Sequence, residues 1–117
     1  MESEELMLRT KQFAHRCVKL ANALPTQTLG KHIQSQLIRS ATSVAANYRA
    51  ACRAQSKATF VAKLSIVLEE ADESHFWMEF IVDEGLLKKE QVTPLLTEAD
   101  ELTAIFVSSR KTAKYRK

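Results

Sequence analysis

The chain has 117 residues, 45% hydrophobic but only 7% aromatic, with two glycines, two prolines and a formal net charge of +3. That length gives one domain, residues 1–117, with one core, and so little Gly, Pro and aromatic content favours helix over sheet. The small net charge hides a split: Leu6 to Leu68 holds ten Lys/Arg and no acid, whereas Glu69 to Glu101 holds eleven acids against Lys88 and Lys89. Charges sorted in this way face one another across a contact, within or between subunits, or present a basic surface to a polyanion.

The first stretch, MESEELMLRTKQFAHRCVKL, is acidic at the start and broken by charge throughout. It therefore reads as neither a secretory signal nor a membrane span, and the chain is expected in the cytoplasm with no membrane partner. Cys17 and Cys52 are expected to be reduced there.

Leu6, Thr10, Phe13, Cys17, Leu20 and Leu24 recur at steps of four and three, which predicts a first helix over 4–24, ended by Pro25. After PTQTLG a second helix over 31–53 carries Ile33, Leu37, Ala41, Val44, Tyr48 and Ala51 as its apolar row. No Gly or Pro marks its end, yet helix continued to residue 84 would be about 80 Å long, too long for so small a chain. A break at 54–56 is therefore expected, with Ser56 as N-cap of a third helix over 57–84. Its expected core row is Phe60, Leu64, Val67, Leu68, Ala71, His75, Met78 and Val82, and Gly85 stops it as a left-handed C′ residue. A fourth helix over 89–112 tolerates Pro94 near its start and turns Leu95, Ala99, Leu102, Phe106 and Ser109 inward. RKTAKYRK, 110–117, is expected to fray out as a basic tail. Four amphipathic helices joined by short connections make an all-α, antiparallel up-down-up-down four-helix bundle.

Two faces depart from that scheme. Ile66, Phe76, Trp77 and Phe80 fall on the far side of the third helix from its core row, together with Glu69, Glu73 and Glu84. Large apolar groups there point to a contact with another chain. Opposite the core row of the second helix lie Ser43, Ala46 and Ala50, small enough for close approach, with Arg39, Arg49 and Arg53. The expected oligomer interface joins that basic strip (Arg39, Ala46, Arg49, Ala50, Arg53) to the acidic and aromatic strip (Ile66, Glu69, Glu73, Phe76, Trp77, Phe80) of a neighbour. Because the two patches differ, the contact runs head to tail and closes into a ring or grows into a filament. Against it stands the plainer account that alanines are good helix formers and arginines a solvated face.

Signals for chemistry are weak. Asp72 and His75 stand at the acid-x-x-His step of di-iron bundles, but after Glu5 the first two helices hold no carboxylate to complete such a site. His15 and Cys17 have the wrong stagger for a shared helical face, and there is no CxxC or HxxxH. Neither a Gly-rich phosphate loop nor a nucleophile elbow is present. The chain is therefore expected to be non-enzymatic, without cofactor, metal or small-molecule substrate. A polyanion is the competing expectation: the acid-free stretch and Arg110, Lys111, Lys114, Arg116 and Lys117 are candidate nucleic-acid contacts.

The run QLIRSATSVAANYRAACRAQSKATFVAKLSIVLEEADESHFWMEF, Gln36 to Phe80, resembles the central signature of the bacterial four-helix-bundle family that includes the 23S rRNA intervening-sequence proteins. Glu98 to Leu102 and the following IFVSSRKT, Ile105 to Thr112, are similar to that family's last helix. Residues here that match the pattern are Arg39, Ser40, Ser43, Asn47, Tyr48, Arg49, Lys63, Glu69, Glu70, Glu73 and Trp77. The resemblance implies an up-down-up-down bundle assembled into a homopentamer, with the RSATSVAANYRAA helix inside the assembly, and it brings no activity or catalytic residue. A related group serves as accessory protein to retroelement reverse transcriptases through a basic surface. The expected function is thus a non-enzymatic oligomeric scaffold or binding platform, and the alternative is a basic accessory protein for RNA, DNA or a ribonucleoprotein such as a reverse transcriptase complex.

Overall fold

The computed structural model describes residues 2–115 and consists of four helices: α1 (Ser3–Asn22), α2 (Thr28–Cys52), α3 (Lys57–Asp83) and α4 (Lys89–Tyr115). Each packs on its sequence neighbours and α1 closes on α4, while the backbones of the diagonal pairs stay apart. The result is an antiparallel four-helix bundle of 50 × 20 × 20 Å. The α2–α3 seam is the most extensive and the α1–α4 seam much the thinnest.

The boundaries have local causes. α1 ends at Asn22, before Pro25, although Leu24 remains buried in the turn. α2 starts at Thr28, ahead of the expected residue 31, because Gly30 lets its first turn lie against the preceding chain. A Cβ built on Gly30 would stand 1.9 Å from the Pro25 carbonyl oxygen. Ser56 caps α3, its Oγ accepting the Thr59 backbone N–H at 3.1 Å. At the other end Gly85 takes φ 64, and the N–H groups of Gly85 and Leu86 return to the Val82 and Ile81 carbonyls at 3.0 Å, a Schellman motif.

α4 corrects one expectation. The stretch from Arg110 does not fray but stays helical to Tyr115, tied to α3 where Arg110 Nη1 donates to Ser65 Oγ at 3.3 Å. Arg116 and Lys117 lie outside the described residues.

The core rows of α1 and α2 are buried as their periodicity requires. α3 is rotated from its expected setting: Leu64, Val67, Ala71, Ser74, Met78 and Ile81 point inward, whereas Phe60, Leu68, His75 and Val82 are half-buried flanks. The reason is that α3 is apolar on more than one side, so its own pattern does not single out the side that meets α2. α4 likewise buries Val92, while Ser109 is half-buried.

Phe13 and Phe106 are the largest fully buried side chains, and Phe106 lies 5.7 Å from the Tyr48 ring. Phe106→Ala should cost about 3–5 kcal/mol by removing packed area and leaving a cavity. Gly30→Ala should cost about 1–3 kcal/mol, because backbone rather than a movable side chain occupies the space. Urea midpoints followed by helical circular dichroism check both.

Candidate functional site

The α2–α3 seam is built on small residues. Ser40 and Ser74, both fully buried, place their hydroxyls 2.9 Å apart, and each also lies within reach of its own helix's carbonyl, Leu37 at 3.3 Å and Glu70 at 2.9 Å. Each hydroxyl has one proton, so one bridges the seam while the other bonds within its helix, and both stay satisfied. Just outside, Arg39 donates from Nη1 to Glu70 Oε2 at 2.8 Å and from Nη2 to Glu73 Oε2. The hydrogen bond to Glu70, then that to Glu73, raises the guanidinium pKa further above its ordinary value. Arg39 and Glu73, expected to meet partners across a subunit contact, therefore pair within one chain.

Farther along this seam the aromatic residues form a ridge. Phe76, Trp77 and Phe80 pack as a trio with centroids 5.0 to 6.2 Å apart, and Trp77 meets His32 edge-on at 5.4 Å. Trp77 Nε1 donates to Glu73 Oε2 at 3.2 Å. Trp77 and Phe80 are half-buried against the core, a correction to their expected outward setting, whereas Phe76 is 50% and Ile66 38% exposed. Glu69 is exposed on the same helix.

Ala46 and Arg49 belong elsewhere. They line a groove of about 620 Å³ between α1 and α2, whose walls are Met7, Leu8, Ala14, Val18 and Ala45. Lys11, His15, Thr42 and Arg49 supply its polar groups, and no carboxylate lines it. Leu8 is 58% exposed at its edge. Sequence reasoning missed this groove, although Leu8 and Val18 off the core row of α1 and the Ala45–Ala46 pair of α2 were its signals. Ala50 is half-buried on α2, and Arg53, just past the end of that helix, is exposed.

The two seams of α4 carry polar side-chain contacts at their surface. Arg9 grips Glu98 with two bonds of 2.7 Å and Glu101 with one of 3.0 Å, closing α1 on α4. These contacts, the Glu98 hydrogen bond first, raise its pKa against the opposing effect of burial. His75 lies 3.1 Å from both Glu79 and Asp100, joining α3 to α4.

A recess of about 870 Å³ opens at the end of the bundle where α2 finishes and α3 begins, with Tyr48, Cys52, Phe60, Ser108, Ser109 and Thr112 among its walls. Burial, then a hydrogen bond to Cys52, raises the Tyr48 pKa, so the phenol stays protonated. Cys17 is fully buried, and desolvation pushes its thiol up to about 12, slightly opposed by Arg16. Such a thiol supplies no nucleophile near neutrality. Among the described residues no group of three or more His, Cys, Asp or Glu side chains is placed to hold a metal, and no helix is long and apolar enough to cross a membrane.

Of the candidate nucleic-acid contacts, Lys111 and Lys114 are exposed near the end of α4, and Arg110 is half-buried against Ser65.

Four antiparallel helices packed in this way place the chain among the four-helix-bundle proteins. Its sequence matches the model of the 23S rRNA-intervening sequence protein family over residues 2–108, and the chain belongs to that family. A solved structure from Bacteroides thetaiotaomicron VPI-5482, described as a protein with unknown function from the S23 ribosomal protein family, has 32% identity and a TM-score of 0.88. The match covers 96% of this chain and 100% of that one. No curated protein matches.

The two thiols should behave differently. Cys17, out of solvent, should react with Ellman's reagent only after denaturation, and half-buried Cys52, on the recess, should react in the native protein. The folded chain keeps the Cys17 proton to about pH 12, whereas the unfolded chain releases it near the ordinary value of 9.0. Between these values the unfolded state binds fewer protons, so stability falls as pH rises, by up to about 1.4 kcal/mol per pH unit. Urea midpoints measured above pH 9 should fall less steeply for Cys17→Ala than for the parent.

Proposed function

We propose that this protein is a non-catalytic subunit that assembles head to tail with copies of itself, and that the assembly serves as a scaffold or binding platform. One observation carries the reading: a single chain displays both an apolar ridge flanked by acids and an apolar groove edged by cations. Phe76 and Ile66, with Trp77 and Phe80 behind them, supply apolar surface for desolvation, which is where most contact energy resides. Glu69 on the ridge faces Lys11 and Arg49 on the groove, giving orientation and register. Arg39 and Glu73, already paired, contribute at the rim, with Ala50 and Arg53 beside them. Ridge and groove are different patches, so one contact leaves a free ridge at one end and a free groove at the other, and closure makes a ring. Five copies is the ring that the sequence resemblance implies.

The test uses two single variants, Phe76→Glu on the ridge and Leu8→Glu in the groove, chosen because both side chains are at least half exposed. Each should retain helical circular dichroism and lose the parent's mass by light scattering on a sizing column. Mixed together they should form a dimer of unlike copies, since the first retains a groove and the second a ridge. Variants that keep the full parental mass, or a mixture that stays monomeric, would sink the head-to-tail contact.

A further inference from the structure

Away from ridge and groove, the adjoining stretches of α3 and α4 at the end of the bundle where α3 begins and α4 finishes carry charge of one sign. α3 has no acid from Lys57 to Leu68 and α4 none from Leu102 to Tyr115, and the cations of these stretches are Lys57, Lys63, Arg110, Lys111 and Lys114. The acids at this end, Glu2, Glu4 and Glu5, stand at the start of α1, which packs on α4 rather than α3 and meets the recess beside Lys57 through Ser3. Between Lys57 and Lys114 runs a shallow trough of about 550 Å³ floored by Ala58, Val61 and Ala62. Arg110 turns inward to Ser65 and braces the seam, while Lys111 and Lys114 face solvent. Next to Lys114, Tyr115 is 74% exposed, and Lys114 Nζ lies 5.9 Å from its ring centroid.

We propose that this end docks a single-stranded nucleic acid, with phosphates against Lys111 and Lys114 and an unstacked base on the Tyr115 ring. Cations alone would suit any polyanion, and the aromatic face beside them selects a strand whose bases are free to stack. A duplex keeps its bases stacked and offers that ring nothing. The apolar floor lies sunk between lysines rather than projecting, a poor shape for insertion into a lipid surface. This reading goes beyond the scaffold and does not rest on self-association.

The experiment is fluorescence anisotropy of the full chain with a labelled oligouridine of about a dozen nucleotides, titrated between about 50 and 200 mM salt. Lys111→Gln with Lys114→Gln should weaken binding at least about tenfold and flatten the log–log salt slope by about 1.4, two phosphate contacts for a single strand. Tyr115→Ala should weaken it about fivefold or more with the slope unchanged. Both variants lie at the end of α4 and leave the core intact, which circular dichroism verifies. A deoxy strand is run alongside: tighter binding of the ribose strand adds 2′-hydroxyl contacts, equal binding limits contact to phosphate and base, and either supports the dock. Four results would overturn it: no binding at the lowest salt, equal affinity for a duplex or for anionic vesicles, indifference to Tyr115→Ala, or equal loss from Lys19→Gln with Lys31→Gln at the opposite end of the bundle.

Discussion

The close approach of α2 and α3 is the constraint on which the rest of this bundle depends. Ser40, Ala41, Ala71 and Ser74, all small and all buried, let the two backbones come near enough for the serine hydroxyls to meet at 2.9 Å. A buried hydroxyl pair tolerates little sliding, because a shift along the seam would separate the two groups and leave larger side chains to clash. Once this seam is set, the rotation of α3 is set with it. That rotation carries Ile66 and Phe76 outward, tucks Trp77 against His32 of α2 with Phe80 beside it, and leaves a bundle with more apolar surface than its own core can use.

The charge split of the sequence is resolved in two ways at once. Two arginines cross it within the chain, Arg39 from α2 to Glu70 and Glu73 on α3, and Arg9 from α1 to Glu98 and Glu101 on α4. Ion pairs at a protein surface contribute only about 0–1 kcal/mol each, so their main effect is on register and neighbour choice rather than on stability. Arg9 matters most in this respect, because it spans the thinnest seam. Of the remaining cations, Lys11 and Arg49 line the groove whereas Arg16 and Lys19 lie against the start of α4, and on α3 Glu69 stands exposed beside the ridge.

Different parts of the candidate site were legible to different degrees. Phe76 was readable as misplaced because an aromatic residue opposite a core row has no partner in an isolated bundle, and it is half exposed. Trp77 and Phe80 looked equivalent from angles about the helix axis, yet a side chain at a seam can lean onto the adjacent helix, as Trp77 does onto His32. The groove escaped attention because half of it belongs to α1 and half to α2, and neither helix alone makes a concave surface. Arg39 and Glu73 were expected to meet partners across a subunit contact, but whether two opposite charges meet within or between subunits depends on which helices are neighbours, and here they pair within the chain.

Helix number, turn positions and class follow from the sequence alone, since they are governed by local periodicity and local chemistry: the row from Leu6 to Leu20, the Ser56 cap, and the left-handed Gly85. The membership of the core of α1 and α2 was equally readable, each having a single apolar row. Tertiary structure decided the rest. It turned Ser74 and Ile81 inward in place of His75 and Val82, carried α4 through the basic stretch to Tyr115, and started α2 early over Pro25. In each case the deciding energy came from a surface on another element, and a periodicity read along one helix holds no term for that surface.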